Sequence, residues 1–269
     1  MKKFISIIIL CLLLCGCRPI DSGAGKDTTI NIPPINIEVE TIVHETKPET
    51  DRTTDGRTVV CIDAGHGFDD VGCGPSYMGC YEYEVTIAAA KQLKASLEKL
   101  GAEVILTHDG ESYPRETDII AKCKKLGIEY KEDGIIENNI FSAYERGIYE
   151  EILIIEENID FFISLHVNSV ENADYVDGYE LYYCEDNPYS YDLQAFGNRL
   201  DEVLDNDIVI DGTEYDDSYI VTKYADIPSV LLEIGYATNP EDARKMTSES
   251  WRSQLADILA AEIVNYIEK

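Results

Sequence analysis

Thr58-Val-Val-Cys-Ile62 runs directly into Asp63-Ala-Gly-His66-Gly67. Five apolar or β-branched residues in a row read as a strand buried on both faces. The glycines on either side of His66 let the backbone turn sharply and leave the imidazole projecting. The pattern repeats twice further on. Asp160-Phe-Phe-Ile-Ser-Leu165 is followed by His166-Val-Asn168-Ser, and Ser229-Val-Leu-Leu232 by Glu233-Ile-Gly235. Glu103-Val-Ile-Leu-Thr107 and Tyr179-Glu-Leu-Tyr-Tyr183 are two more strand candidates.

Helical periodicity separates these strands. Residues 84–100 place Leu93, Leu97 and Leu100 at helical spacing, with Gly101 as the stop. Helices are also expected near 117–126, over 138–157 and over 190–204. A last one near 248–268 carries Trp251, Leu255, Ile258, Leu259 and Ile263 on one face. Alternating strands and helices with continuous apolar strands predict an α/β fold. It is one domain, a twisted, mostly parallel sheet of about six strands flanked by helices on both faces. In such sheets ligands bind beyond the carboxyl ends of the strands, which is where His66, His166 and Glu233 fall.

Charge narrows the partners. The 269 residues hold 52 Asp+Glu against 22 Lys+Arg, a formal net charge of −30. A nucleic-acid binder needs a basic face to neutralise phosphates, so no nucleic-acid partner is expected. Attraction to anionic lipid headgroups is excluded on the same ground.

The first residues read as an export signal. Lys2 and Lys3 precede an apolar run from Phe4 to Cys15, too short to span a bilayer comfortably. Leu14-Cys15-Gly16-Cys17 resembles the bacterial lipobox, although Cys15 is not the usual small residue there. Three segments are therefore expected: a lipoprotein signal over 1–17 ending at lipidated Cys17, a flexible tether over 18–57, and a catalytic domain over 58–269. Cleavage before Cys17 leaves 20 basic and 52 acidic residues, a net −32. The expected location is extracytoplasmic, with membrane contact only through the lipid anchor. The five later cysteines show no zinc-ribbon spacing. Cys73 and Cys80 can pair across a short loop or serve as small buried hydrophobes.

Of the four histidines, His44 lies in the tether and His108 follows a strand in a polar loop, where solvation is expected. His66, His166 and one carboxylate make a His₂Glu-type set, which with a water is a common catalytic zinc site. Asp69, Asp70, Glu82 and Glu84 are all candidates for the third ligand. An acid at Glu82 or Glu84 would also favour a helix N-terminus.

Taken together, Asp63-Ala-Gly-His66-Gly, Glu82-x-x-Val85-x-Ile87, Phe162-Ile-Ser-Leu-His166-Val-Asn168-Ser and Pro228-Ser-Val-Leu-Leu-Glu233-Ile-Gly-Tyr-Ala-Thr-Asn239-Pro resemble the zinc-dependent N-acetylmuramoyl-L-alanine amidases of the AmiC/CwlV type. The likeness runs from about 58 to 267. It implies one Zn²⁺ per chain on His66, Glu82 and His166, with Glu233 as the catalytic glutamate. It also implies peptidoglycan as substrate, cleaved at the amide between N-acetylmuramic acid and L-alanine. The alternatives are an inactive adaptor of the same fold and a zinc peptidase acting on stem peptides. Arg146 aligns with an arginine of the family and is expected to orient an acid. Asn168 is expected either to contact substrate or to support its loop. The chain departs from the family at Thr107-His108, where Thr-Arg is common, and in the length of 108–137. A long polar segment there suggests a lid or recognition loop. A protein activator is conceivable but not readable from the sequence.

Overall fold

The structure is a computed structural model that describes residues 56–68, 70–130, 143–204, 209–213, 222 and 226–269. The signal segment, the tether up to residue 55, His44, Cys17 and Asp69 lie outside the described residues. Six strands alternate with helices: β1 (Val59–Ala64), α1 (Glu82–Lys99), β2 (Glu103–Leu106), α2 (Glu116–Leu126), α3 (Ala143–Glu157), β3 (Phe161–Asn168), β4 (Glu180–Cys184), α4 (Ser190–Leu204), β5 (Val209–Thr213), β6 (Ser229–Tyr236), α5 (Pro240–Met246) and α6 (Glu249–Ile267).

The strands form one sheet in the order β2-β1-β3-β6-β4-β5. β1 is parallel to β2 and β3, and β3 is parallel to β6. β4 runs antiparallel to β6, and β5 follows β4 in parallel. This is the single, mostly parallel α/β sheet expected from the apolar runs. β5 and α5 are additions to the elements read from the sequence.

Alternation along each strand loads both faces. Val60, Ile62, Phe161, Ile163, Val230 and Leu232 pack with the apolar stripes of α1, α4 and α6. Val59, Cys61, Phe162 and Leu231 turn to the other face and pack with Leu153 of α3. The 108–137 segment is in part such packing. Ile119 and Cys123 of α2 are buried against Ile148 and Ile152 of α3. Residues 131–137 lie outside the described residues. Among the described residues no helix is long and apolar enough to cross a membrane.

Candidate metal centre

Three side chains from three elements converge at the carboxyl ends of β1 and β3. His66 lies just past β1, Glu82 is the first residue of α1, and His166 is near the end of β3. One donor atom from each lies within 4.8 Å of the other two. Glu82 Oε1 is 3.2 Å from His66 Nε2 and 3.2 Å from His166 Nδ1. The two imidazoles meet edge to face at 5.0 Å between centroids.

Local backbone explains how each arrives. His66 has φ 64°, a left-handed conformation rare for a non-glycine residue. Gly67 and Asp70 then bond backbone to backbone in both directions, at 2.7 and 3.0 Å, closing a tight turn. The turn returns Asp70 to His66, with Oδ2 2.8 Å from Nδ1. Asp70 is therefore not one of the three converging donors. It stands on the Nδ1 side of His66 as a charge partner, with Nε2 facing Glu82. Glu84, the other nearby candidate, is exposed and accepts from the Tyr81 N–H at 2.9 Å, a helix-start contact.

Glu82 is 3% exposed. Its Oε1 accepts from the Val167 N–H and its Oε2 from the Cys73 N–H, both at 2.8 Å. Burial alone would raise its pKa, but bonds from His166 and His66 and their charges carry it far below the usual carboxylate range. For His66, burial works to lower the pKa, yet Glu82 and Asp70 raise it overall. Two imidazoles and an ionised carboxylate at this spacing are a donor set that fits a divalent ion with a free coordination position.

Glu233 is the register partner of His166 on β6, and Glu180 on β4 is the register partner of Glu233. The row His166–Glu233–Glu180 thus crosses three strands. Glu233 Oε2 is buried and accepts no hydrogen bond among the described residues. Burial, then the charges of Glu82 and Glu180, push its carboxyl well above the ordinary range.

Residues 60–265 match the sequence family described as N-acetylmuramoyl-L-alanine amidase, Amidase_3. The chain belongs to this amidase family. The uncharacterized protein YqiI of Bacillus subtilis is 25% identical over 217 residues, spanning 80% of this chain and 87% of its own. The N-acetylmuramoyl-L-alanine amidase AmiA of Salmonella typhimurium is 24% identical over 245 residues, covering 82% and 79%. The CwlD amidase of Clostridioides difficile, solved in complex with the GerS lipoprotein, is 26% identical. It superposes with a TM-score of 0.61 over 79% of this chain and 99% of its own.

Behind this amidase centre lies a buried polar cluster that the sequence only hinted at. Asp63, fully buried on β1, accepts from Thr107 Oγ1 at 2.6 Å and Ser164 Oγ at 2.7 Å. Arg146 of α3 brings Nε to 3.7 Å from Asp63 Oδ1. Burial would raise the Asp63 pKa, but Arg146, His108 and the two hydroxyls hold it below the usual value. Arg146 therefore orients an acid, as expected.

His108 corrects the sequence reading. It is 4% exposed rather than solvated, with Nε2 2.7 Å from the Ala64 carbonyl and its ring 5.3 Å from Phe68. Burial lowers its pKa, and because a carbonyl only accepts, Nε2 is the donor of that bond. Asn168 is committed to the protein, donating Nδ2 to Glu180 Oε2 at 2.5 Å and accepting from the Ser169 N–H at 2.7 Å. Its loop-supporting role is the one the geometry carries. All five described cysteines are free thiols, and Cys73 and Cys80 pack on the main core. Glu180 escaped the sequence reading altogether. Its signal was an acid on an otherwise apolar and aromatic strand, Gly178-Tyr-Glu180-Leu-Tyr-Tyr183.

Proposed function

We propose that this chain is a zinc-dependent N-acetylmuramoyl-L-alanine amidase that hydrolyses the amide between N-acetylmuramic acid and the L-alanine of peptidoglycan stem peptides. His66, Glu82 and His166 hold one Zn²⁺, and Glu233 is the catalytic acid–base group. The reading is supported by one juxtaposition above all. Glu233 Oε2, a buried carboxylate oxygen with no hydrogen-bond partner among the described residues, sits in the register row of His166 beside a three-donor cluster.

When bound, the ion supplies a Lewis acid that polarises the scissile carbonyl and makes a coordinated water acidic. The protein does the rest. Asp70 places a carboxylate against His66 Nδ1, which favours Nε2 as the ligand atom. The Val167 and Cys73 N–H groups hold the two Glu82 oxygens in place. Glu233 takes the proton of the attacking water on Oε2 and returns it to the leaving alanine nitrogen. Burial raises the Glu233 pKa, and a divalent ion held by His66, Glu82 and His166 would oppose that rise. Glu180 cannot take this role, because its two oxygens already accept three hydrogen bonds.

The same reading places the chain outside the membrane, as a lipoprotein tethered through Cys17 and residues 18–57. The support is the Leu14-Cys15-Gly16-Cys17 motif after an apolar run, and a polar, Pro-containing segment before β1. Anchoring would substitute for a wall-binding module by raising local concentration. Loss of membrane association in Cys17→Ala, with the catalytic domain still folded, is expected.

Purified protein incubated with sacculi tests the activity. Released stem peptides beginning with L-alanine support the amidase. Shortened stems would make it a peptidase, and no release with intact zinc would make it an adaptor. Metal analysis should give one zinc per chain, abolished in His66→Ala and in His166→Ala.

A further inference from the structure

The amidase centre straddles a break in the sheet. β3 and β6 pair regularly up to His166 and Glu233, but the next pair is Asn168 with Tyr236. Two steps on β3 therefore face three on β6, a bulge of one residue, where Gly235 takes φ 147°. Backbone pairing holds His166 and Glu233 side by side from below, and the bulge weakens it immediately above them. β4, which flanks β6, pairs with it only over Glu180–Tyr182.

One side chain bridges the break. Glu180 Oε2 accepts from Asn168 Nδ2 at 2.5 Å and from the Tyr182 hydroxyl at 2.6 Å. Its Oε1 accepts from the Tyr236 hydroxyl at 2.6 Å. Asn168 lies on β3 two residues past His166, and Tyr236 on β6 three residues past Glu233. Both residues of the first pair beyond the bulge are thus bonded to a single carboxylate rooted in the third strand. Three hydrogen bonds of 2.5–2.6 Å from three strands to one carboxyl group make this a stiff link.

We infer that Glu180 is a positioning residue for hydrolysis: its carboxylate clamps the ends of β3, β4 and β6 across the bulge and so fixes Glu233 against His166. The inference rests on the proposed amidase reading for its kinetic consequence but not for its structural one. Glu180 is neither a ligand of the ion nor a proton carrier. Its loss should therefore spare metal and substrate binding and slow the step that needs Glu233 in place.

The test compares full-length wild type with Glu180→Ala, Glu180→Gln, Tyr182→Phe and Tyr236→Phe. The readouts are zinc content, kcat and KM on a soluble muropeptide, and amide hydrogen exchange without substrate. Glu180→Ala should keep one zinc per chain and hold KM within about twofold, while kcat falls by roughly tenfold or more. Exchange at Val167, Asn168 and Tyr236 should quicken by about the same factor. Glu180→Gln retains one acceptor oxygen and should recover part of the loss. Tyr236→Phe should lower kcat alone but add nothing in the Glu180→Ala background, because both remove one network. Unchanged kcat and exchange in Glu180→Ala would overturn the clamp, as would multiplying losses in the double variant. Should Glu180→Ala fail to fold, unchanged kcat and exchange in both tyrosine variants would overturn it equally. If wild type releases no stem peptide, the amidase reading falls, and the clamp is then decided by hydrogen exchange alone.

Discussion

Gly65→Ala should disarm the metal centre while leaving the sheet standing. A Cβ built on Gly65 would stand 2.5 Å from His166 Cε1 and 2.6 Å from both ring nitrogens. Ordinary carbon contacts are near 3.5–4.0 Å, so the ring or the backbone must shift by about 1 Å. The backbone is fixed on both sides. The Gly65 N–H donates to the Leu165 carbonyl at 2.8 Å, and its carbonyl accepts from the buried Thr86 hydroxyl at 2.7 Å. The imidazole is what yields, and metal sites tolerate ligand errors of only about 0.2 Å. Disturbing a partner behind a ligand already costs about 10–100-fold in affinity. Displacing the ligand itself should cost at least about 100-fold, or roughly 2.7 kcal/mol. Zinc affinity by competition with a chromogenic chelator, beside a thermal melt of the apoprotein, is the assay. A Gly65→Ala protein that binds zinc within threefold of wild type would refute the reasoning.

Glu233→Gln should keep one zinc per chain by metal analysis and lose about 10²–10⁴-fold in kcat, the usual worth of a general acid–base group. Arg146→Met should destabilise the fold by about 3 kcal/mol in denaturant titrations, because it strips a cation from buried Asp63. Glu150→Gln should change the pH dependence of stability. Burial, then the charge of Asp63, raises the Glu150 carboxyl well above its ordinary value. The folded chain then keeps a proton that the unfolded chain sheds above about pH 4.3, and stability falls as pH climbs from there toward the folded pKa, by at most about 1.4 kcal/mol per unit. Urea midpoints measured from pH 5 to 8 should show this slope in wild type and a flatter one in Glu150→Gln. Asp63 works in the opposite sense, its stabilisation being lost only as pH drops below about 3.9 toward its lowered folded pKa.

The strands that build the site were legible because buried parallel strands are written as unbroken apolar runs. Val59–Ile62, Phe161–Leu165 and Val230–Leu232 needed no tertiary information to be placed. The register between them was not legible. Nothing local says that His166 pairs with Glu233, or that β6 carries an extra residue before Tyr236. Register follows from packing on both faces together. Hence Glu180, whose importance exists only in that register, was invisible, whereas Glu233 stood out as an acid in an apolar run. The third donor was ambiguous for a related reason. Asp70, Glu82 and Glu84 are equivalent in chemistry and close in sequence, and only the turn closed by Gly67 and Asp70 separates them. His108 was misread because a histidine after a short strand looks exposed until Ala64 and Phe68, from β1 and the loop after it, close on the ring. Asn239-Pro240 was a usable signal left unread. Asn239 caps α5 by accepting from the N–H groups of Glu241 and Asp242, with Pro240 at the first helical turn.

These details make the centre a product of sheet rows more than of loops. Asp63 pairs with Ser164 in register and is bonded to it through Oδ2. Two residues further along the same strands, Gly65 lies against the ring of His166. The next strand over brings Glu233 into the row of His166, and the one beyond brings Glu180. Only His66 and Glu82 enter from outside the sheet, and both are pinned by backbone or carboxylate contacts to residues beside it. A site laid across adjacent strands inherits the rigidity of their ladder, which is what holds catalytic groups to within fractions of an ångström. It also inherits the ladder's weak point, the bulge after His166. On this argument, substitutions in the exposed loops around the cleft should alter KM, whereas substitutions along the 63–164 and 166–233–180 rows should alter kcat or metal content with KM little changed.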